Sequence, residues 1–209
     1  MKRLLVFFAV CLMPFFMLSQ TDLYVHPNAD TYVANTKTIA ILPLKVQVNL
    51  SLKELKDFTQ EQMIAMSKNE ALEIQKATYF WFLKRELKVQ IQDPQKTNEL
   101  LKNNGIDIHD YDTYTPSELG AILGVETIVT GTFETSKLLS NGVVVGLAVL
   151  TGYFGPTNST TLNMEFKSTT DNVMVVKYLK NVRGTVGSNM QDQINKLMRK
   201  VSRRIPYTK

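Results

Sequence analysis

The sequence predicts an α/β fold: a single domain with a mixed sheet of three parallel strands followed by an antiparallel meander, and helices packed on it. Two observations lead to this prediction. Up to about residue 133, apolar β-branched runs alternate with helical patterns, an order typical of right-handed crossovers between parallel strands. Further along, apolar and polar residues alternate and a turn signal reverses the chain, as in an antiparallel hairpin.

The centre of the predicted domain is a joint between a helix and a strand. Thr115 and Glu118 form a capping box that opens the helix, and Gly124 closes it. The run from Thr127 to Phe133 is mostly β-branched or apolar, which predicts a strand buried on both faces. The apolar residues of the helix fall at helical spacing and form one stripe: Leu119, Ile122 and Leu123.

Two more strands are predicted before this joint. The run TIAILPL, which follows Lys37, predicts the first buried strand. Val89 and Ile91 alternate with glutamines and predict a second, shorter strand. Asp93 with its following proline predicts the start of a helix that ends at Gly105.

Between these two strands the sequence predicts a helix that restarts. Ser51 and Glu54 form one capping box, and Ser67 and Glu70 form another, which favours two helices over one long helix. The aromatic run Phe80–Phe82 forms part of a broad apolar surface of the second of these helices. We expect it to pack the helix on the sheet, and a platform for a ligand is the alternative.

The late part of the chain predicts the antiparallel meander and a final amphipathic helix. Leu162, Met164 and Phe166 alternate with polar residues, Thr170-Asp171-Asn172 is a turn signal, and the run Val173–Val182 returns as the partner strand. The final helix places Ile194, Leu197, Met198, Val201 and Ile205 on one face. Its other face is basic: Lys196, Arg199, Lys200, Arg203 and Arg204.

That basic face has two interpretations. A solvated helix surface is the structural one, and attraction to anionic lipid or to a cell-wall polymer is the functional one.

The N-terminus predicts export. Lys2 and Arg3 precede an apolar run from Leu4 to Leu18, which is short for a membrane span and is followed by Ser19 and Gln20. We therefore predict a signal peptide over residues 1–19, an extended arm over 20–36 and the domain over 37–206. An uncleaved anchor is the alternative to cleavage, and terminal disorder is the alternative for the arm.

Cleavage would also remove the only cysteine, Cys11. Lipidation of Cys11 is disfavoured because Val10 is bulky where a small residue is expected. Without thiols, neither disulfides nor cysteine-metal sites would contribute to the mature fold. Removing Lys2 and Arg3 lowers the formal net charge from +5 to +3, so the mature chain is only mildly basic and no nucleic-acid partner is predicted.

A second candidate contact is the segment NGVVVGLAVLTGYFGPTNST, from Asn141 to Thr160. As a strand it would be apolar on both sides, unlike a porin strand. A buried strand is one interpretation. A partner or membrane contact is the other, because an apolar segment that is exposed and not covered by a partner would promote aggregation. The contact residues would be Val143, Val145, Leu147, Val149, Tyr153 and Phe154.

No motif for catalysis, metal binding or a cofactor is present. The sequence has no Gly-rich phosphate loop, nucleophile elbow or zinc motif. Asp107, His109 and Asp110 lie close together, but they have no fourth ligand at useful spacing and we interpret them as solvated loop residues. We therefore predict that the protein is not an enzyme and that it has no cofactor.

The predicted segments, taken in order, resemble the curli secretion-channel (CsgG-like) family. The segments are TIAILPL, LGVETIVTGTF and TLNMEFKSTTDNVMVVKYLKNVRG, and they span about Lys37 to Pro206. That family shares its fold with the outer-membrane activators of penicillin-binding proteins and with TolB-type N-terminal domains. The matching positions are Ile39, Ala40, Leu42, Pro43, Leu123, Gly124, Ile128, Val129, Thr130, Gly131 and Asp171.

The resemblance implies a protein of the periplasm or outer membrane. Our first hypothesis is a non-enzymatic envelope protein that binds or helps assemble another envelope component. The alternative is a subunit of an oligomeric outer-membrane secretion channel or pore, with homo-oligomers and membrane contact. The curli channel carries a second membrane-crossing hairpin late in its chain. The stretch from Asn181 to Met190 is too short for such a hairpin here, which favours the first hypothesis.

Overall fold

The computed structural model describes residues 21–49, 59–108, 110–137, 158–183 and 190–209. Within these ranges the helices are α1 (Ala29–Asn35), α2 (Gln60–Leu83), α3 (Pro94–Asn103), α4 (Pro116–Leu123) and α5 (Met190–Val201). The strands are β1 (Thr21–Val25), β2 (Thr38–Ile41), β3 (Lys45–Asn49), β4 (Gln90–Ile91), β5 (Thr127–Lys137), β6 (Asn158–Ser168) and β7 (Met174–Arg183). A short 3-10 turn, Tyr111–Thr113, lies before α4.

All of these strands join one mixed sheet, which confirms the predicted fold class. The order is β1-β7-β6-β5-β2-β4, and β3 also pairs with β5. β2 is parallel to β4 and β5, and β3 is parallel to β5. From β5 onward the neighbours β6, β7 and β1 are antiparallel. The parallel group thus includes β3 as well as the three predicted strands, because the chain continues alongside β5 after Pro43.

Two apolar clusters lie on opposite faces of the sheet. Ile39 and Ile41 of β2 belong to a cluster with α2 and α5, whereas their neighbours Ala40 and Leu42 belong to a cluster with α3 and α4. Successive residues of a strand point to opposite faces, so helices cover both faces of β2. The larger cluster includes a stack of rings, in which the Phe166 ring centroid lies 6.0 Å from Phe82 and 5.4 Å from Tyr207.

The predicted helix-to-strand joint is present. The Thr115 side chain accepts a hydrogen bond from the Glu118 amide at 3.2 Å, and the Glu118 carboxylate accepts one from the Thr115 amide at 2.7 Å. Gly124 ends α4 with φ 67°, a left-handed conformation that suits glycine. The start of α3 is also as predicted, because the Asp93 side chain accepts from the Gln95 amide at 2.8 Å.

The predicted restart at Ser67 is wrong. α2 is continuous from Gln60 to Leu83 and opens with a different capping box, formed by Thr59 and Gln62. Ser67 and Glu70 therefore lie inside the helix, where backbone amides already have helical partners and no cap is needed. The predicted box of Ser51 and Glu54 lies outside the described residues.

The aromatic run of α2 divides into buried and exposed residues. Phe82 is fully buried, as expected for a residue that packs on the sheet, whereas Phe80 is 55% exposed. Trp81 is partly buried, and its Nε1 donates to Asn195 Oδ1 of α5 at 3.2 Å. The run thus joins two helices through Trp81, and Lys84 lies over the rings of Phe80 and Trp81.

The predicted extended arm is instead part of the domain. Residues 21–25 form β1, which pairs with β7, and α1 follows it. Ala29 and Val33, one helical turn apart, are buried in the larger cluster. The Tyr32 hydroxyl donates to Asp171 in the β6–β7 turn at 2.7 Å. These contacts come from distant parts of the chain, which explains why the local sequence did not reveal them.

Candidate functional site: the basic face of the last helix

α5 is anchored to the sheet by its apolar side. Its predicted apolar residues, together with Ile205 beyond the helix end, are each at most 2% exposed: Ile194, Leu197, Met198, Val201 and Ile205. Gln193 is buried next to them, and its Oε1 accepts from the Thr160 hydroxyl of β6 at 2.6 Å. The helix therefore has a fixed orientation, and its opposite side must face away from the sheet.

The predicted basic residues lie on that opposite side. Lys200 is partly exposed and the other members are exposed: Lys196, Arg199, Arg203 and Arg204. The salt bridges formed between described residues lie elsewhere, so none of these basic residues has an acidic partner in the described ranges. We call these residues, with Lys200, the basic face.

Lys180 of β7 belongs to the same electrostatic environment, although it was not predicted. Its side chain is only 4% exposed and donates to the Thr21 hydroxyl of β1. Burial, followed by the positive charges of Lys200 and Arg204, lowers the pKa of Lys180. The alternation of β7 could have indicated this, because Lys180 lies two residues after Tyr178, on the side of the strand that faces α5.

Arg204 also influences Tyr178. Burial raises the pKa of the Tyr178 hydroxyl, and the nearby charge of Arg204 partly offsets this. Among the described residues the Tyr178 hydroxyl has no hydrogen-bond partner. The positive charge of the basic face therefore extends from the helix to the end of β7. Such an arrangement can hold an anionic group, since lysine and arginine supply only donors and positive charge.

The acidic groups with shifted pKa values lie elsewhere and are held by structural contacts. Burial would raise the pKa of Glu165, but its bonds to Lys167 and Lys177, at 2.9 and 3.1 Å, keep that pKa below its usual value. A hydrogen bond from Lys45 lowers the pKa of Asp112. In the ranges that the structure covers, no three His, Cys, Asp or Glu residues are grouped as for a metal ion.

The remaining sequence predictions are placed as follows. Asp107 forms a salt bridge of 2.8 Å with Lys68, as a solvated loop residue can. His109 lies outside the described residues, as do the predicted signal peptide, Cys11 and the second candidate contact: Val143, Val145, Leu147, Val149, Tyr153 and Phe154. Helices in the described part of the chain are all too short or too polar to cross a membrane.

Comparisons with known proteins give structural similarity only. No protein-family model matches the chain, and no curated protein matches its sequence.

Three solved structures are similar to this chain. Lipoprotein GNA1162 from Neisseria meningitidis is 12% identical, with a TM-score of 0.42 over 80% of this chain and 96% of that one. The PelC dodecamer from Paraburkholderia phytofirmans is 9% identical, with a TM-score of 0.45 over 87% and 93%. The LpoB C-terminal domain from Salmonella enterica is 9% identical, with a TM-score of 0.35 over 70% and 82%. These low scores assign no function, and membership of the curli secretion-channel family stays a prediction.

Proposed function

We propose that this chain is an exported, non-enzymatic cell-envelope protein that binds another envelope component, or helps to assemble it, through the basic face of α5. One observation carries the proposal. The apolar side of α5 is completely buried, while the basic residues on its outer side have no acidic partner among the described residues. A partner with clustered negative charge would neutralise them.

The basic residues of this face do not all stabilise α5. Arg199 and Lys200 lie in the last turn of α5, where positive charge interacts favourably with the helix dipole. Lys196 and Lys200, however, are like charges four residues apart, a spacing that destabilises a helix by about 0.2–0.5 kcal/mol. Arg203 and Arg204 follow the helix end, and Arg204 adds further repulsion near Lys180. A bound anion would turn this repulsion into attraction.

Vesicle binding tests the proposal. The full chain, purified as its host processes it, should bind vesicles that contain phosphatidylglycerol more tightly than vesicles of phosphatidylcholine alone. The variant Arg199→Gln/Arg203→Gln should weaken that binding roughly 10- to 30-fold, because each basic residue at an anionic surface contributes about 1 kcal/mol. Added salt should weaken binding by the wild type for the same reason.

A matched variant provides the control. Lys96→Gln/Lys102→Gln removes the same charge from exposed positions of α3 and should leave vesicle binding nearly unchanged. Equal losses in both variants would indicate a response to net charge alone and would contradict a specific basic face. Binding only to isolated peptidoglycan, with the same dependence on Arg199 and Arg203, would support the face and identify a wall polymer as the component.

The alternative, a subunit of an oligomeric outer-membrane channel, is favoured by one feature of the sheet. β5 and β6 pair along their whole length, up to Lys137 opposite Asn158. Residues 138–157 therefore connect β5 to β6 at this end, and they contain the predicted contact residues from Val143 to Phe154. Light scattering of the detergent-solubilised protein tests the alternative, because a strict monomer would exclude a ring. Val145→Asp/Leu147→Asp should abolish the ring in a protein that still folds.

A further inference from the structure

We infer that β1 pairs with β1 of a second copy of this chain, which joins two sheets about a two-fold axis. This inference goes beyond the proposed function and does not depend on it. β1 lies at one edge of the described sheet, and exposed apolar side chains surround it.

The two edges of the described sheet differ in how they are protected. The edge strand β4 has only two residues and is soon followed by Asp93 and Pro94, which leave little backbone for another strand to pair with. β1 is the opposite edge, and its five residues, TDLYV, contain no proline and no lysine. Natural edge strands often carry lysine, proline or other charged residues, which discourage pairing. In β1 the only charged residue is Asp22.

Among the described residues, one side of the β1 backbone has no partner strand. The His26 amide donates to the Val175 carbonyl at 2.8 Å, so His26 and Val175 form a hydrogen-bonded pair. In antiparallel ladders such pairs alternate with non-hydrogen-bonded ones. By this alternation, Leu23 and Val25 direct their N–H and C=O groups away from β7. These groups are available to another strand.

Apolar side chains are concentrated at the same edge. The described chain exposes seven large hydrophobic residues, and four of them lie on β1 or its neighbour β7: Leu23, Tyr24, Val25 and Leu179, which are 37–48% exposed. Leu23 lies opposite Tyr178 in the register and Tyr24 opposite Lys177, so adjacent residues put apolar surface on both faces of the edge. A strand added there would cover both sets.

The sequence of β1 complements itself, which favours a second copy over an unrelated strand. In an antiparallel pair centred on Leu23, Leu23 faces its own equivalent, Thr21 faces Val25 and Asp22 faces Tyr24. The outward backbone groups of Leu23 then meet at the axis, and no like charges lie opposite each other. An isologous contact of this kind closes as a dimer and does not propagate into fibres.

The two-fold symmetry also determines where the basic faces of the two copies lie relative to each other. Two strands that pair antiparallel within one sheet are related by an axis perpendicular to that sheet, so the same face of each copy lies on the same side. α5 packs on one face of the sheet only, as its buried contacts with the larger cluster show. The dimer would therefore present two basic faces on one surface.

Charge complementation at Leu23 tests the inference. Sedimentation of the full chain, purified as its host processes it, should show a reversible dimer. Leu23→Lys and Leu23→Glu should each weaken dimerisation about tenfold or more, because each variant places like charges directly opposite each other at the axis. An equimolar mixture of the two variants should restore the dimer, since opposite charges then meet. Ile64→Lys and Ile64→Glu, at an exposed apolar position of α2, should change nothing.

A cysteine cross-link provides a second measurement that does not require charge at the edge. In a Cys11→Ser background, Leu23→Cys should oxidise to a covalent dimer, because a hydrogen-bonded antiparallel pair holds its Cα atoms about 5.5 Å apart, within disulfide range. Ile64→Cys in the same background should stay monomeric. A wild type that is monomeric at every concentration would overturn the inference. A dimer that survives both charged variants, or that fails to cross-link, would do so as well.

Discussion

The parallel and antiparallel halves of the sheet are buried in different ways. In β2 the successive residues Ile39, Ala40 and Ile41 are each at most 1% exposed, because helices cover both faces of that strand. In β6, buried Met164 and Phe166 alternate with partly exposed polar residues, because α2 and α5 cover only one face there. The comparison shows that a continuous apolar run and an alternating one, both readable in the sequence, correspond to two different environments in one sheet.

The two halves also satisfy their polar groups differently. Next to β2, the buried Gln75 of α2 donates from Nε2 to the Ile41 carbonyl at 2.7 Å and to Asn98 Oδ1 at 3.0 Å. On the open face of β6, Glu165 is instead held by the flexible ends of Lys167 and Lys177. Gln75 therefore depends on hydrogen bonds of fixed geometry, whereas Glu165 is held by two lysines whose side chains are partly exposed.

The largest expected effect lies where the two halves meet, at Gly131 of β5. A Cβ atom at this position would lie 2.0 Å from the backbone oxygen of Asn163 in β6, so the two central strands could not keep their spacing. Gly131→Ala should lower the free energy of unfolding by about 3 kcal/mol or more, since overpacking against backbone cannot relax by a change of rotamer. Urea unfolding followed by circular dichroism would measure the loss.

Gly124→Ala is the matched control for Gly131→Ala. Gly124 has φ 67°, but a Cβ atom there would meet no atom within 4 Å. The cost should be about 1 kcal/mol, from backbone conformation alone. Equal losses in the two variants would show that the positive φ angles, 156° at Gly131 and 67° at Gly124, and not the contact with β6, dominate at both sites. They would contradict the close approach of β5 and β6 at Gly131.

The next largest effect is expected at the buried hydrogen bonds of Gln75, compared with the ion pairs of Glu165. Gln75→Leu should lower the free energy of unfolding by about 1–3 kcal/mol, because the Ile41 carbonyl and Asn98 lose their buried partner. Glu165→Gln should cost less than about 1 kcal/mol, because the side chains of Lys167 and Lys177, which lose their partner, are 29% and 46% exposed and can turn to water. The same unfolding experiment measures both variants. A greater loss in Glu165→Gln would reverse the comparison.

Features set by local chemistry could be predicted from the sequence. The capping box of Thr115 and Glu118 and the start of α3 at Asp93 depend on residues three or fewer positions apart, and both are present. The strand from Thr127 was predicted because its apolar run reflects burial on both faces. The amphipathic pattern of α5 likewise indicated which side of that helix is buried.

Features set by distant contacts could not be predicted. β1 exists because β7 pairs with it, and the sequence TDLYV alone has no distinctive pattern. Ser67 and Glu70 match a capping box, but the helical partners of the surrounding residues decide that α2 continues through them. The alternation of β7 indicates that Lys180 shares a side with Tyr178, but only the packing of α5 brings Lys200 and Arg204 close to it.

The smallest predicted effect concerns the β6–β7 turn, which forms hydrogen bonds with Tyr32 of α1 and Ser117 of α4. A hydrogen bond from Tyr32, and then one from Ser168, lowers the pKa of Asp171. A lowered pKa means that this contribution to stability is present above the ordinary pKa of about 3.9 and is lost as the pH falls through the folded-state pKa. The same hydrogen bond raises the pKa of Tyr32, so the contribution is also lost in strong alkali, as the pH rises through that raised pKa.

Tyr32→Phe should therefore lower the free energy of unfolding at neutral pH, and the difference from wild type should disappear in acid. Ser117→Ala is the matched control at the same turn, because it removes a neutral hydrogen bond of 2.9 Å from the Ser117 hydroxyl to Asn172 Oδ1. Its effect should be constant across the same acid range, since neither partner titrates there. Urea unfolding at a series of pH values measures both variants. A Tyr32→Phe difference that persists below the folded-state pKa of Asp171 would show that the tyrosine stabilises the turn by packing and not through the carboxylate, because only the carboxylate contact depends on that titration.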